Sequence, residues 1–400
     1  MSQQDLTYFR KGFGLKREIA GSLAQDYHSR LVDRVREAGG TLAVADVTIR
    51  LAKEFGFCYG VDRAVEYAYE SRTKFPDKRI FLVGEIIHNP HVNRRLEEMG
   101  IAILRPGEDG FFDFSGILPR DVVLIPAFGV RVADFRLLRD VGCILVDTTC
   151  GSVLNVWKRV QQYAREGFTA VVHGKHFHEE TKATVSQVTA FEGGRYLIVR
   201  NMEETDLICR FIVNGDNIDQ MEATFRHKVS EGFDFERDLA RVGVANQTTM
   251  LSSESLAIAR RIGDAMAQRY GAEQLESHFR NFDTICSATQ ERQDAILELI
   301  EEPLDAMVVI GGYNSSNTNH LAKICSSKVA TYHIADSECV DPVTGAIRYK
   351  PVDGDTEIEQ ESWLMGPVTI GITAGASTPN NKIGEAIERI LASRGLSVPW

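Results

Sequence analysis

The stretch AMVVIGGYNSSNTN, residues 306–319, joins a run of apolar residues to a glycine and then to a polar loop. The same order of residue types occurs in IFLVGEIIHNPHVN at 80–93 and in TAVVHGKHFHEETK at 169–182. A short apolar run rich in β-branched residues is typical of a buried strand, and the glycine and polar residues that follow indicate its end. The repeat therefore predicts three similar lobes, each with a buried strand that ends in a polar loop.

A cysteine precedes each of these units by a nearly constant interval. The intervals from cysteine to glycine are 26, 24 and 25 residues for the pairs Cys58 and Gly84, Cys150 and Gly174, and Cys286 and Gly311. Four positions after the glycines lie polar residues that could contact a ligand: His88, His178 and Ser315. A helical pattern follows each cysteine, and a thiolate at a helix N-terminus has a lowered pKa and is a good metal ligand. The spacing therefore predicts a metal site with three thiolate ligands and an open position.

Strand and helix patterns alternate along the whole chain. Each lobe has a further apolar run that ends in a turn of small residues, at 122–129, 242–249 and 369–377. The alternation predicts an α/β fold of parallel sheets flanked by helices, with sites at the carboxyl ends of the strands. The predicted organisation is an N-terminal extension at 1–45, a strand and loop at 46–58 packed with lobe three, lobe one at 59–140, lobe two at 141–280 with a surface insertion at 191–240, lobe three at 281–385 and a tail at 386–400.

The composition excludes several classes of protein. A net charge of −11 argues against broad binding of nucleic acid or of anionic membranes. No apolar run is long enough to span a bilayer, and the N-terminus lacks the apolar core of a secretory signal. The seven cysteines include no CxxC pair, so thiols that bind metal or act in catalysis are more plausible than disulfides. These features predict a cytoplasmic protein.

Three thiolate ligands favour an iron–sulfur cluster. Structural zinc usually takes four ligands, and catalytic zinc prefers histidine and carboxylate. A cluster of four irons held by three cysteines would keep one iron open for a substrate. Two alternatives remain open from the residues alone: a zinc-dependent hydrolase of a phosphorylated substrate, and a metal-free α/β module that binds phosphate and has structural thiols.

The loop at 314–319 is suited to an anionic ligand. Its sequence, NSSNTN, offers hydroxyls, amides and a helix N-terminus, which are the groups that bind phosphate. The same residues also suit a turn with a helix cap. In the second lobe, Glu179 and Glu180 follow His178 directly. A carboxylate near phosphate and metal has a raised pKa and can carry a proton, although acids at this position also commonly begin a helix.

Six motifs in one chain order resemble those of the 4-hydroxy-3-methylbut-2-enyl diphosphate reductases, the LytB family. They are GFCYGVDRA at 56–64, DTTC at 147–150, HEE at 178–180, QTT at 247–249, SSN at 315–317 and AGAS at 374–377. The resemblance covers about residues 48–385. The length and the N-terminal extension are similar to those of the longer form found in cyanobacteria and plastids.

The resemblance implies a fold, a cofactor and a reaction. The fold is a three-lobed, pseudo-threefold α/β trefoil of small parallel-sheet domains around a central 4Fe-4S cluster, one per chain, with Cys58, Cys150 and Cys286 as ligands. The reaction is the two-electron reductive dehydroxylation of (E)-4-hydroxy-3-methylbut-2-enyl diphosphate to isopentenyl and dimethylallyl diphosphate. It is the last step of the non-mevalonate isoprenoid pathway.

The resemblance also assigns roles to individual residues. Glu180 matches the carboxylate that relays protons, and Thr248 matches the threonine that hydrogen-bonds the substrate hydroxyl. The residues that match the diphosphate pocket and its neighbourhood are His88, His178, Thr289, Ser315, Ser316, Asn317 and Ser377. The chain departs from many bacterial members at Phe128, where those members place a histidine against the diphosphate. The implied electron donor is a protein such as ferredoxin or flavodoxin.

Overall fold

The computed structural model describes residues 7–399. The parts of the predicted extension and tail at 1–6 and 400 lie outside the described residues. The strands, in chain order, are β1 (Tyr8–Phe9), β2 (Thr41–Val44), β3 (Val47–Leu51), β4 (Ile80–Val83), β5 (Ile101–Leu104), β6 (Val122–Ile125), β7 (Ile144–Asp147), β8 (Thr169–His173), β9 (Tyr196–Val199), β10 (Val242–Asn246), β11 (Phe279–Asn281), β12 (Ala306–Ile310), β13 (Thr331–Ile334), β14 (Ile347–Tyr349), β15 (Ile358–Gln360) and β16 (Val368–Ala374).

Helices follow most of the strands. In chain order they are α1 (Lys16–Tyr27), α2 (Arg30–Glu37), α3 (Tyr59–Lys74), α4 (Pro90–Glu98), α5 (Val132–Val141), α6 (Gly151–Arg165), α7 (Glu179–Thr189), α8 (Met202–Asn214), α9 (Ile218–Phe225), α10 (Phe235–Asp238), α11 (Ser252–Tyr270), α12 (Leu275–His278), α13 (Ser287–Leu299), α14 (Ser316–Ser326) and α15 (Asn380–Ala392). None of the helices within 7–399 combines the length and the apolarity needed to cross a bilayer.

The described residues form two compact units, and each is built from separate stretches of the chain. The first unit contains the described residues up to 11 together with 77–86 and 102–286. Its two sheets have the strand orders β1-β7-β6-β4-β5 and β11-β10-β8-β9. Strands β1, β7, β6 and β4 pair in parallel, as do all the neighbours in the second order.

The second unit contains residues 12–76, 87–101 and those from 287 onward. Its sheet has the order β13-β12-β16-β3-β2, in which only β2 pairs antiparallel to its neighbour. Strands β14 and β15 form a separate antiparallel pair. With a parallel sheet for each predicted lobe, the predicted α/β fold is confirmed. The strand before Cys58, β3, lies in this third sheet beside β16.

Apolar strands and helices with one apolar face explain why these sheets form. Every residue of β8, β10 and β12 is buried, as expected of central parallel strands that helices cover on both faces. Helix α6 buries a stripe spaced by three or four residues: Val153, Val156, Val160 and Tyr163. The core of the second unit likewise combines sheet residues such as Ile49 and Ile372 with helix residues such as Ile390.

Two segments that the sequence places outside the lobes, the insertion and the N-terminal extension, contribute strands to the sheets. The segment 191–240 is predicted to be a surface insertion, and this is wrong for its first half. Strand β9 extends the second sheet beside β8, and α8 buries Leu207, Ile208 and Phe211 in the same core as α11. The extension also contributes structure, since β1 pairs with β7 and β2 forms the edge of the third sheet.

Replacement of Gly243 tests the packing of α6 on β10. A Cβ at Gly243 would lie 2.6 Å from the ring of Tyr163, whose hydroxyl donates to the carbonyl of Val244 at 2.9 Å. Because the ring is fully buried, Gly243→Ala should lower the free energy of unfolding by about 1–3 kcal/mol, the usual cost of overpacking. Denaturant titration measures this loss. Gly116→Ala, with open space around its Cβ, should be close to neutral; equal stability of the two variants would contradict the packing described.

Candidate functional site

The backbone N–H of each repeat cysteine is held by the turn that follows a third strand of one of the sheets. In the first unit, Cys150 donates to the carbonyl of Ala127 at 2.9 Å, and Cys286 donates to that of Thr248 at 3.4 Å. In the second unit, Cys58 donates to the carbonyl of Ala376 at 3.2 Å. These turns are the small-residue turns predicted after β6, β10 and β16. The recurrence in the sequence therefore corresponds to a recurrent contact in the structure.

The first unit brings Cys150 and Cys286 together. The hydroxyl of Ser152, in the first turn of α6, donates to the Sγ atom of Cys286 at 3.2 Å. Burial raises the pKa of Cys150, and the negative charge of Cys286 adds to the increase, whereas hydrogen bonds from Ser152 and from the N–H of Val153 lower it. The predicted stabilisation at the helix N-terminus is thus present, but desolvation outweighs it in the metal-free chain. A cation between the two thiols would reverse this balance.

A buried carboxylate lies in the same unit. Glu180, which is 1% exposed, accepts the backbone N–H of Thr248 at 2.6 Å and the hydroxyl of Thr248 at 3.0 Å. This pair links the first turn of α7 to the end of β10. The family resemblance indicated both residues, and they come together because the carboxyl ends of neighbouring parallel strands lie at one edge of a sheet.

His178 caps α7 beside this pair. Its Nδ1 atom accepts the N–H of Glu180 at 3.1 Å, which leaves Nε2 as the donor of the neutral ring. The ring of Phe128 packs edge-on against it, with centroids 5.6 Å apart and planes at 84°. Phe128 offers no hydrogen bond, but it fixes the plane of the imidazole.

Further residues that support this site have no distinctive motif of their own. Asp147 accepts the N–H and the hydroxyl of Thr149 at 3.0 and 2.5 Å, directly before Cys150. Its other oxygen accepts the hydroxyl of Tyr8 at 2.6 Å. Burial and the adjacent carboxylate raise the pKa of Tyr8 far above its ordinary value, so that the phenol remains a donor. The only sequence signal for Asp147 is the Asp-Thr run shared with 283–284, and Tyr8 gives none.

The second unit brings together the polar loop after β12 and the turn after β16. Ser315 caps α14 by accepting the N–H of Thr318 at 3.3 Å. Asn317 accepts the N–H of Ala376 through Oδ1 at 3.0 Å. Ser377 donates to the carbonyl of His88 at 3.1 Å. The loop therefore acts as a helix cap, as one interpretation of its sequence predicts, and it also gathers polar groups. The binding of phosphate by this loop stays a prediction.

One donor in this loop has no acceptor. Asn317 is 2% exposed, and its Nδ2 atom has no hydrogen-bond partner among the described residues. A buried amide N–H without an acceptor is costly, so an oxygen-rich ligand beside the N-terminus of α14 would be stabilised there. Ser316 in the same turn and Thr289 on α13 are also buried in this unit. These residues fit a phosphate group.

Cys58 occupies the same position in its helix as Cys150 does in α6. It is the N-cap residue of α3, as Cys150 is of α6. The loop before it is fixed by Arg292, which is buried and donates to the carbonyl of Gly56 at 2.7 Å. Gly56 has a φ of +77°, which favours glycine at this turn.

Comparison with known proteins gives a consistent result. The family model described as LytB protein matches residues 49–391. A protein of Thermosynechococcus vestitus named 4-hydroxy-3-methylbut-2-enyl diphosphate reductase is 47% identical over 98% of this chain and 96% of its own length. A protein of Synechococcus sp. strain RCC307 with the same name is 48% identical over 96% of this chain and 93% of its own length.

Two solved structures are also similar. One, described as the terminal enzyme of the non-mevalonate pathway, (E)-4-hydroxy-3-methyl-but-2-enyl diphosphate reductase, is 28% identical and has a TM-score of 0.53 over 86% of this chain and 98% of that one. The other, a diphosphate reductase from Plasmodium falciparum, is 21% identical, with a TM-score of 0.61 over 85% of this chain and 86% of that one. The second likeness shows the fold alone.

A buried histidine gives the second unit a testable pH dependence. His333 on β13 is 2% exposed, and its Nε2 atom lies 2.9 Å from the carbonyl of Gly311, which opens the polar loop. Burial lowers the pKa of His333 to about 4, and the charge of Lys350 adds to the lowering. An unfolded histidine has a pKa of about 6.5, so between these values the unfolded chain binds the extra proton. Stability should therefore fall as the pH is lowered from about 6.5 towards 4.

Denaturant midpoints measured across this pH range, for the wild type and for His333→Gln, provide the check. The variant cannot titrate at this position and should lose less stability over the interval. The slope of its free energy of unfolding against pH should be smaller by the contribution of about one bound proton. Parallel curves for the two proteins would show that His333 is not the group responsible.

Proposed function

Because the chain belongs to the LytB protein family, we propose that it reduces (E)-4-hydroxy-3-methylbut-2-enyl diphosphate to isopentenyl and dimethylallyl diphosphate with an iron–sulfur cluster. The match over residues 49–391 confirms the family that the motifs indicated. The observation that carries the proposal is the first unit's arrangement: a buried carboxylate, Glu180, is bonded to Thr248, whose carbonyl holds the N–H of the thiol residue Cys286. Proton donor and metal ligand are thus joined through one residue.

The proposed cofactor is a 4Fe-4S cluster held by Cys58, Cys150 and Cys286. The donor set fits such a group: the two thiols of the first unit are close enough to share Ser152, and Cys58 is presented on an equivalent helix cap. Several thiolates are the usual ligands of iron–sulfur clusters. When bound, the cluster supplies single electrons and a Lewis-acidic iron for the substrate hydroxyl.

The protein residues supply the protons. Loss of the hydroxyl as water and formation of either product consume two electrons and two protons. The hydroxyl of Thr248 lies 3.0 Å from Glu180, so it can hydrogen-bond the substrate hydroxyl while it remains in contact with the carboxyl group. Glu180 is shielded from solvent and is therefore the group that we assign to proton delivery.

The diphosphate is assigned to the polar loops. In the second unit, Asn317 offers its unsatisfied amide, and the further assigned residues are buried there: Ser315, Ser316 and Ser377 in the loop and turn after β12 and β16, His88, and Thr289 on α13. In the first unit, His178 offers Nε2–H. Phe128 cannot donate to phosphate, so the two histidines are the remaining imidazole donors. Electrons come from a separate protein such as ferredoxin or flavodoxin, and we propose the cytoplasm as the compartment.

Anaerobic purification followed by iron and sulfide analysis tests the cofactor. We expect brown protein with about four irons and four sulfides per chain, as a 4Fe-4S cluster requires. Cys58→Ser, Cys150→Ser and Cys286→Ser should each lose the intact cluster and the activity. Cys143→Ala is the control, since Cys143 is buried and donates to the carbonyl of Leu138. Colourless protein with one zinc that is active without a reductant would overturn the proposal in favour of a zinc hydrolase.

Glu180→Gln tests the proton route. The carboxamide keeps one oxygen as an acceptor for Thr248 but cannot deliver a proton, so turnover should fall by about 10²–10⁴-fold. Iron content and substrate affinity should stay close to those of the wild type. Glu192, which is exposed and lies in the same unit, provides the matched control Glu192→Gln. Near-normal turnover of the Glu180 variant would show that another group supplies the proton.

A further inference from the structure

The three repeat cysteines differ in the residue two positions later. Gly60 follows Cys58, Ser152 follows Cys150 and Ala288 follows Cys286. Two positions after the cysteine, a side-chain hydroxyl is therefore present only in the repeat of Cys150. This difference contributes to unequal surroundings of the three sulfurs.

The hydroxyl of Ser152 is directed at the sulfurs of the first unit. Its Oγ atom donates to Cys286 Sγ at 3.2 Å across 134 residues of sequence, and both its side chain and its backbone N–H also interact with Cys150. The hydroxyl is not the cap of α6, since the N-cap residue is Cys150, whose sulfur accepts the backbone N–H groups of Ser152 and Val153. Its hydrogen bond therefore goes to a thiol and not to the helix backbone.

We propose that Ser152 is a positioning residue that raises the reduction potential of the cluster by donating a hydrogen bond to the sulfur of Cys286. This inference rests on the proposed function. A hydrogen bond to a ligating sulfur stabilises negative charge on that sulfur, and reduction adds negative charge to the cluster. The reduced state consequently gains more from the bond than the oxidised state does, and the cluster accepts its electron more readily.

The test compares side chains that keep or remove the hydroxyl. Ser152→Ala and Ser152→Gly remove it, and Ser152→Thr retains it. The glycine variant reproduces Gly60, the residue two positions after Cys58. Ser277→Ala removes an exposed hydroxyl from the same unit and is the control. Each protein is purified anaerobically and analysed for iron and sulfide. The midpoint potential is then measured by redox titration monitored by electron paramagnetic resonance, at one pH and without substrate.

We expect the midpoint potential to be lower in the Ala and Gly variants and unchanged in the Thr variant and the control. Equal potentials in the loaded wild type, Ala and Gly proteins would overturn the inference while leaving the proposed function intact. If the Ala and Gly variants lose iron and sulfide but the Thr variant retains them, the result supports a role of the hydroxyl. If the Thr variant also loses iron and sulfide, the inference is overturned. A wild-type protein without iron and sulfide would overturn the proposed function and this inference with it.

Discussion

Thr248 is the residue that links the buried carboxylate of the first unit to a thiol residue. Its N–H and hydroxyl donate to Glu180, and its carbonyl accepts the N–H of Cys286. A single residue at the end of β10 therefore fixes a buried carboxylate and a thiol relative to each other. A carboxylate that is almost fully buried is costly to keep charged, and the two hydrogen bonds from Thr248 offset part of that cost.

Ala376 has the corresponding place in the second unit, but it acts through its backbone alone. Its carbonyl accepts the N–H of Cys58, and its N–H donates to Asn317. In the second unit, Ala376 thus links the thiol residue Cys58 to the polar loop that contains Asn317. In the first unit, Thr248 links the thiol residue Cys286 to the carboxylate of Glu180. The turns after the third strands are consequently more than connections, since each sets the position of one cysteine.

Local sequence patterns predicted the parts of the molecule that depend on neighbours in the chain. Buried strands such as β12, the cysteines that begin helices and the loop around Ser315 follow from apolar runs, glycines and capping residues. Contacts between distant segments could not be predicted in this way. Tyr8 reaches Asp147 only because β1 pairs with β7, and Ser152 reaches Cys286 only because the fold brings α6 to the loop before α13. The prediction of a surface insertion is wrong around β9 because the charged helices there resemble a surface excursion in sequence, although one face of α8 is apolar and buried.

The strand order of the third sheet constrains how the chain can fold while it is being synthesised. Strand β3 ends at Leu51, whereas its parallel neighbour β16 begins only at residue 368. Before β16 has been made, β3 has only its hairpin partner β2, and the backbone N–H and C=O groups along its other edge are unpaired. Parallel pairing over such a long interval is slow and exposes the nascent chain to aggregation. The same arrangement that presents Cys58 on a finished sheet thus leaves this strand edge open to incorrect pairing until β16 has been made.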